Sequence, residues 1–363
     1  MKKIKLFVPL AYYLLVVILA AGTLVACGKD EVSKNNIAEA SSAKNKEETK
    51  TGDVKGTEDN EEKLTVRIAY NGGVGSAGDV GFNVALLTGY LEEQLAQYNA
   101  TVEISSFANG PAVNEAFVAG NIDIVNSMGD QPLVVGISND IDVTTIGTIG
   151  ASARNLGLVV APDSDITSVE QLKGKRVTTF VGTNNHKALL QVLADAELTE
   201  NDVELVNVSD NDAAIAALSA GEVDAAWVTG VAFITAEDNG AGKIITDLSE
   251  YPTYIYIQAT ESFTEEHPEI VETYLDAIKW GEEYFKENPE ESYQLIADYF
   301  EISKEDAKIY IDYFDWGLGW SEAAVQDLYE TNTFLVEHEL LTNEISKETI
   351  DEYISDFAKG LGE

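Results

Sequence analysis

FANGPAVNEAFVAGNIDIVNSMGDQP, residues 107 to 132, is the stretch that decides the fold. Pro111 and Pro132 each predict the start of a helix, because proline suits the first helical turn. Between the two helices, IDIVNSM (122–128) predicts a short strand. A strand that ends in a glycine and leads into a helix start places free backbone N–H groups at one point, where a ligand can bind. The stretch therefore predicts an α/β unit with a ligand site at the strand end.

Strand and helix patterns alternate on both sides of this stretch. LTVRIAY (64–70) predicts a first strand, the glycine-rich turn NGGVGSAGDVG (71–81) follows, and FNVALLTGYLEEQLAQ (82–97) has helical spacing. The alternation restarts at NLGLVVAP (155–162), and the frame AG-x-[IV]-D occurs once in each half. Such alternation predicts largely parallel sheets covered by helices on both faces. We predict lobe 1 over 64–155 and lobe 2 over 156–255.

The remaining region, 256–363, predicts a return strand and then helices. TYIYIQAT (253–260) crosses back to lobe 1, and from Glu261 onward the apolar residues recur at helical spacing. Pro268 and Pro289 predict helix starts, and Ser303 and Ser321 predict N-caps. The aromatic residues of this region fall at helical spacing, so we interpret them as core of the completed lobe 1, with ligand contact as the alternative.

The N-terminus has the layout of a leader. Basic residues at Lys2, Lys3 and Lys5 precede an apolar run over 6–21, and LVAC (24–27) follows. This layout predicts a signal peptide over 1–26, with an uncleaved membrane anchor as the alternative. The polar segment 27–63 buries almost nothing and predicts a disordered tether. Because Cys27 is the only cysteine, a disulfide framework or a cysteine-based metal site is excluded.

The charge of the chain restricts its partners. The formal net charge is −40, and residues 256–363 contain 28 acidic against 6 basic residues. Nucleic acid and anionic lipid head groups are poor partners for such a surface, which we interpret as a solvated acidic coat. An exported enzyme is the main competing class, but the sequence contains no Ser–His–Asp arrangement, zinc spacing or P-loop. A sensor lobe would need a second membrane segment after residue 27. We expect no enzyme activity, cofactor or metal.

These motifs together resemble the substrate-binding proteins of bacterial ABC importers for nitrate, taurine and aliphatic sulfonates. The opening stretch is similar to that family's F-x-x-G-P … G-D-x-P block. Residues 165–208 are similar to its D-L-K-G-K and G-[ST]-x-x-H blocks, and DAAIAALSAGEVDAAWV (212–228) to the next one. The resemblance implies a two-lobed, periplasmic-binding-protein-like (type II) α/β fold with a ligand cleft between the lobes. It also implies a monomer with a permease and, through it, an ATPase as partners.

The same resemblance extends to the leader and to the ligand. LVAC resembles a lipobox, which implies that Cys27 carries lipid and anchors the chain on the extracytoplasmic face of the cell membrane. The sulfonate binders continue after the matched block with Trp-Asp-Pro or Trp-Ala-Pro, whereas this chain has VTGVAF (228–233). The resemblance implies a small anion or zwitterion of the sulfonate, taurine or nitrate class as the solute, and this departure keeps other ligands open. A pyrimidine-type vitamin precursor or an aromatic acid is the alternative.

Ligands of open α/β sheets bind beyond the carboxyl ends of strands. Four segments occupy such positions, and together with Arg154 at the first crossing between lobes they form the predicted site. Its residues are Asn71, Gly72, Gly129, Asp130, Gln131, Arg154, Thr183, Asn184, Asn185, His186, Trp227 and Thr229.

Several of these residues have a second interpretation. Asp130 can cap its own helix instead of contacting a ligand, and Thr183, Asn184 or Asn185 can cap the helix that follows them. His186 can contact ligand or pack at the helix start. Arg154 can bind an anion bidentately or pair with an acid at the hinge.

Overall fold

The computed structural model describes residues 63–152, 156–247, 253–312 and 314–362. The predicted leader, the tether with Cys27, and Arg154 lie outside the described residues. Within the described ranges no helix is both long enough and apolar enough to cross a membrane.

The described strands form two sheets. The strands are β1 Leu64–Asn71, β2 Ala100–Phe107, β3 Ile124–Gly129, β4 Thr144–Ser152, β5 Leu156–Val160, β6 Arg176–Thr179, β7 Glu204–Asn207, β8 Ala225–Thr229, β9 Lys243–Asp247, β10 Thr253–Ala259 and β11 Phe314–Gly319. One sheet has the order β11-β4-β10-β3-β1-β2, and the other has the order β7-β6-β8-β5-β9. We call the first sheet with its helices lobe 1 and the second sheet with its helices lobe 2.

Helices cover both sheets. They are α1 Val80–Leu87, α2 Tyr90–Leu95, α3 Gly110–Val118, α4 Asp130–Ser138, α5 Asn184–Asp195, α6 Asn211–Ser219, α7 Gly230–Ile234, α8 Glu261–Glu266, α9 Pro268–Glu287, α10 Pro289–Phe300, α11 Lys304–Asp312, α12 Glu322–Glu337, α13 Lys347–Glu352 and α14 Asp356–Leu361. Short 3-10 helices span Gly73–Gly78, Ala96–Tyr98, Val169–Leu172 and Glu200–Asp202. Pro268 and Pro289 begin helices, and the hydroxyls of Ser303 and Ser321 accept backbone N–H bonds, as predicted.

The structure corrects the sequence prediction in three places. The sheets are mixed rather than largely parallel, because β10 and β11 run antiparallel to their neighbours in lobe 1 and β5 does so in lobe 2. The helix predicted over 82–97 is divided at Gly89, whose φ of 80° cannot continue a helix. Within the region predicted to be helical after the return strand, residues 314–319 instead form β11, which pairs with β4.

The repeated frame AG-x-[IV]-D has the same structural role in both lobes. Asp123 accepts the backbone N–H of Arg67 on β1 at 2.7 Å, and Asp224 accepts that of Arg176 on β6 at 2.9 Å. Each arginine also donates from its side chain to the same carboxylate and to the carbonyl of the frame's glycine. The repeat therefore reflects two similar βαβ units, each stabilised by one arginine–aspartate pair.

The core is divided between the two faces of the lobe 1 sheet and the lobe 2 sheet. One face of lobe 1 packs against α1, α2 and α9, and the other packs against α3, α4 and α12. Lobe 2 buries Trp227 completely between its sheet and α5. α12 contributes Phe334 to the cores of both lobes, so this helix lies where the lobes meet.

Candidate functional site

The two lobes approach each other where α4 and α5 begin. A Cβ built on Gly129 would lie 3.6 Å from Cγ of Asn184, so the end of β3 in lobe 1 faces the first turn of α5 in lobe 2. A side chain at position 129 would fill the space between these two helix starts. Among the predicted site residues, the segments 129–131 and 183–186 are therefore brought together across the lobes.

The start of α4 is fixed by the residues of the opening stretch. A Cβ on Gly110 would lie 2.3 Å from Pro132, so only glycine lets α3 pack this closely against α4. The amide of Asn114 donates to the carbonyl of Pro132 at 2.8 Å, and Asn109 caps α3. These contacts set the position of α4 before any ligand is bound.

Gln131 has an unusual environment at this helix start. Its side chain is fully buried, and neither amide atom has a hydrogen-bond partner within the described residues. The N-cap residue of α4 is Gly129, and no side chain among the described residues caps this helix. The first turn of α4 thus offers an unpaired amide beside an uncapped helix N-terminus.

Asp130 does not cap its own helix, which corrects one of the two predicted interpretations. Its Oδ2 instead accepts hydrogen bonds from Lys187 Nζ at 2.6 Å and from the Thr331 hydroxyl at 2.6 Å. The other oxygen, Oδ1, is buried without a partner among the described residues. Asp130 therefore faces the neighbouring elements α5 and α12 rather than the backbone of α4.

Lys187 is the centre of this buried cluster. Its ammonium donates to Asp130, to Asp327 Oδ1 at 2.7 Å and to the Thr331 hydroxyl at 2.5 Å, and its side chain is only 9% exposed. Burial disfavours its charge, but Asp130 and Asp327 outweigh that effect and raise the pKa of Lys187 above its usual value. The hydroxyl of Tyr256 donates to Asp327 Oδ2 at 2.9 Å and completes the cluster.

One ammonium cannot neutralise two carboxylates, and as a result the pKa of Asp327 changes. Burial and the nearby carboxylate of Asp130 raise the pKa of Asp327 to about 6, against the lowering effect of Lys187. Sequence reasoning did not identify Lys187, Asp327 or Thr331. A lysine after a histidine in a helix and an aspartate 140 positions later carry no shared local pattern.

The start of α5 satisfies part of its backbone with its own side chains. Thr183 is the N-cap residue but donates its hydroxyl to the carbonyl of Phe180 at 2.7 Å instead of capping. Asn184 Oδ1 accepts the backbone N–H of Asn185 at 3.1 Å. Of the three predicted caps, only Asn184 bonds to a first-turn N–H.

His186 packs at the helix start. Its ring lies edge-on to Phe334 of α12 with 6.1 Å between the centroids, and neither ring nitrogen has a partner in the described part of the chain. Burial and the nearby His338 lower the pKa of His186, which keeps the ring neutral at physiological pH. This geometry favours the packing interpretation over ligand contact.

Trp227 and Thr229 lie on β8, on the lobe 2 side. The indole ring of Trp227 is fully buried in the lobe 2 core, and its Nε1 donates to Asn185 Oδ1 at 3.2 Å. The indole ring therefore contacts the start of α5 through its hydrogen bond to Asn185. Thr229 bonds with both its N–H and its hydroxyl to Asn211, the first residue of α6.

A second contact between the lobes lies beside Thr229. Gly230 has φ of 61°, and a Cβ there would lie 2.8 Å from the ring of Tyr310 on α11. The ring of Tyr310 in lobe 1 therefore covers the start of α7.

The first predicted segment lies at the end of β1. Asn71 donates its amide to the carbonyl of Ser127 on β3 at 2.9 Å, which ties the ends of the two strands together. Gly72 has φ of 94° and open space around its Cβ position. Asn71 thus supports β3 two residues before Gly129.

The sequence profile described as NMT1/THI5 like matches residues 80–292, which is more than half of the chain. The chain belongs to this family. The matched range contains α1, both repeated frames and the starts of α4 and α5, whereas Asn71 and Gly72 lie outside it.

Curated relatives of this NMT1/THI5-like chain are named as binding proteins. The taurine-binding periplasmic protein of Escherichia coli is 28% identical over 196 residues, which cover 53% of this chain and 59% of that protein. A putative aliphatic sulfonates-binding protein of Bacillus subtilis is 26% identical over 225 residues, 61% of this chain and 67% of that protein. The chain thus matches less than two thirds of the E. coli protein's length.

Solved structures confirm the predicted two-lobed fold. The periplasmic aliphatic sulphonate binding protein SsuA of E. coli superimposes with a TM-score of 0.70 at 22% identity, over 78% of this chain and 91% of that one. The alkanesulfonate-binding protein SsuA of Xanthomonas axonopodis pv. citri, solved with MOPS, gives 0.69 at 18% identity over 80% and 98%. The desulfurization enzyme DszB also has the fold, with a TM-score of 0.59 at 15% identity over 82% and 98%.

Proposed function

We propose that this chain is the substrate-binding component of an ABC importer and that it captures a small sulfonate in the cleft between its lobes. The names of its relatives support this solute class, and binding rather than catalysis is what those relatives share. The likeness to DszB is one of fold, and its identity of 15% carries no activity to this chain.

The observation that carries the proposal is the pairing of two helix starts with an unpaired buried amide. Helix N-termini attract anions because their first N–H groups are free and the helix dipole is positive there. α4 and α5 start within side-chain distance of each other at Gly129 and Asn184, and Gln131 adds an amide that is buried without a partner among the described residues. A sulfonate has three acceptor oxygens, and in this proposal it accepts from the N–H groups of both helices and from the Gln131 amide.

The net charge of the chain does not oppose this assignment. Close contacts in a closed cleft are screened little, whereas the acidic surface acts over the Debye length of about 8 Å at physiological salt. The proposal therefore places anion recognition in local N–H and amide donors.

The remaining features of the proposal concern location and organisation. We keep the predicted bounds of 64–155 and 256–363 for lobe 1 and 156–255 for lobe 2, except that β10, which begins at Thr253, belongs to the sheet of lobe 1. Cys27 carries a lipid that anchors the chain on the extracytoplasmic face of the membrane, and the chain acts as a monomer that delivers its solute to a permease and an ATPase. Labelled fatty acid should enter the native chain in cells and be absent from Cys27→Ala.

A thermal-shift and calorimetric series tests the ligand class. Taurine, ethanesulfonate, nitrate, benzoate and a hydroxymethylpyrimidine are compared at the same concentrations. A ligand present at 100 times its Kd stabilises the fold by about 2.7 kcal/mol. Sulfonates should raise the unfolding temperature and the other compounds should not. Binding of the pyrimidine or of benzoate without sulfonate binding would contradict the proposed class.

A further inference from the structure

The cluster around Lys187 joins the two lobes. Lys187 belongs to α5, which packs on the lobe 2 sheet, whereas its partners belong to lobe 1: Asp130 to α4, and Asp327 and Thr331 to α12. The side chains of Lys187, Asp130 and Asp327 are 9%, 0% and 12% exposed. All three hydrogen bonds of the ammonium therefore cross between the lobes in a place that water reaches little.

Other contacts between the lobes lie along α12, and we call them together with the Lys187 cluster the seam. The rings of His186 and Phe334 meet edge to face, and His338 Nδ1 lies 3.2 Å from Glu200 Oε2. α12 thus faces lobe 2 over its C-terminal half. Of these contacts, the Lys187 cluster is the one that combines buried charges with several hydrogen bonds.

The stability of this seam depends strongly on the distance between the lobes, because charged groups form part of it. A buried ammonium or carboxylate that loses its partner is strongly disfavoured, so a partly closed arrangement with the charges separated but still buried is costly. Fully opened lobes expose the same groups to water. The cluster therefore favours two arrangements, one with the bonds made and one with the groups hydrated.

We propose that Lys187 is a positioning residue that latches the lobes: its bonds to Asp130, Asp327 and Thr331 hold the closed state and so fix the starts of α4 and α5 at ligand-binding separation. The inference rests on the proposed function, since the latch acts on the same cleft. Lys187 does not itself contact the ligand in this proposal.

The test measures the ratio of closed to open molecules by pulsed dipolar EPR. Spin labels are placed on the exposed positions 195 of lobe 2 and 272 of lobe 1, by Asp195→Cys and Glu272→Cys in a full-length Cys27→Ser background. Distances are recorded without ligand and with taurine. Thr331→Val removes the shared hydroxyl at nearly constant shape, and Lys187→Met removes the ammonium.

Each variant has a matched control on the same element or lobe. Thr333→Val changes an exposed hydroxyl two positions away on α12. Lys243→Met removes a lysine whose ammonium donates to the carbonyl of Ser164 within lobe 2. The loss of a hydrogen bond to a charged group costs enough free energy to change an equilibrium about ten-fold or more. The closed-to-open ratio should therefore fall about ten-fold or more in Thr331→Val and Lys187→Met. It should remain at the wild-type value in the controls.

The outcomes separate the latch from the proposed function. A closed-to-open ratio in Thr331→Val equal to that in Thr333→Val, with and without taurine, would overturn the latch. If Lys187→Met does not fold, Thr331→Val still decides the question. If taurine does not change the closed-to-open ratio of the wild type, but Thr331→Val and Lys187→Met still lower that ratio, taurine is not the ligand and the latch remains supported.

Discussion

Lys187 Nζ lies 2.7 Å from Asp327 Oδ1 although 140 positions separate the two residues, and Asp130 approaches the same ammonium from a third element. The pKa of Asp327 is raised from 3.8 to about 6, first by burial and then by Asp130. Its carboxyl therefore binds a proton more tightly in the folded chain than in the unfolded chain. The stabilising contribution of this group is complete below about pH 4 and is lost as the pH rises through 6.

Asp327→Asn should make this loss visible. A ten-fold difference in proton affinity between the folded and unfolded chains corresponds to about 1.4 kcal/mol, so the free energy of unfolding of the variant relative to wild type should grow by up to about 3 kcal/mol between pH 4 and pH 7. Urea unfolding at several pH values measures it. Asp356→Asn on α14 controls for the loss of one exposed negative charge. A wild-type-minus-variant difference that stays constant with pH would contradict the raised pKa.

Local signals predicted the starts of α4 and α5, because Pro132 and the threonine and asparagines at positions 183–185 act through neighbours in sequence. The Lys187 cluster could not be predicted in the same way. Its members come from α4, α5, α12 and β10, and each of its charged residues alone has the appearance of an ordinary surface charge. Only the packing of α12 against both lobes brings them together.

The error at β11 has a related cause. Trp316 falls in helical spacing with the aromatics before it, yet residues 314–319 pair with β4 because an edge of the lobe 1 sheet is available there. Two glycines in this strand, Gly317 and Gly319, disfavour a helix, although glycine does not by itself favour a strand. Tertiary pairing outweighed the periodicity.

The paired arginine–aspartate bonds of the two lobes predict a stability effect in each. Asp123 receives the Arg67 backbone N–H and guanidinium and has a side chain only 8% exposed, whereas that of Asp224 is 30% exposed. Removing a buried partner of charged hydrogen bonds costs about 3–5 kcal/mol, and removing a more exposed one costs less.

Asp123→Ala should therefore lower the free energy of unfolding by about 3 kcal/mol, and Asp224→Ala by about 1 kcal/mol. Denaturant unfolding followed by circular dichroism checks both values. Equal losses in the two variants would show that burial does not set the difference between the lobes.

A side chain at position 230 in lobe 2 should clash with Tyr310 in lobe 1. An alanine there has its Cβ 2.8 Å from the Tyr310 ring and also adopts φ of 61°. Gly240→Ala is the matched control, because Gly240 has φ of 67° with nothing within 4 Å of its Cβ position. Gly240→Ala should cost about 1–2 kcal/mol through backbone strain alone.

Gly230→Ala should cost more than this control and should weaken taurine binding as well, since the clash pushes α7 of lobe 2 away from α11 of lobe 1. Adding Tyr310→Ala to Gly230→Ala should recover part of the loss, which a double-mutant cycle measures. Additive effects of the two substitutions would contradict the contact as the cause.

Gln131 provides the most direct test of the site, because stability and binding should move in different directions. Both atoms of its buried amide lack partners among the described residues, so Gln131→Leu removes an unsatisfied group and should leave the free energy of unfolding unchanged or raise it by about 1 kcal/mol. If the amide donates to a sulfonate, taurine affinity measured by calorimetry should fall about ten-fold or more.

Gln258→Leu is the control for that experiment. Gln258 is also buried, and its amide has no partner in the described ranges. Its backbone pairs with Val125 and Thr145 near the amino ends of β3 and β4, whereas Gly129 lies at the carboxyl end of β3. Substitution of Gln258 should raise stability in the same way and leave taurine affinity at the wild-type value. If Gln131→Leu binds taurine as tightly as Gln258→Leu does, the amide is not part of the ligand site and the first turn of α4 loses its side-chain donor.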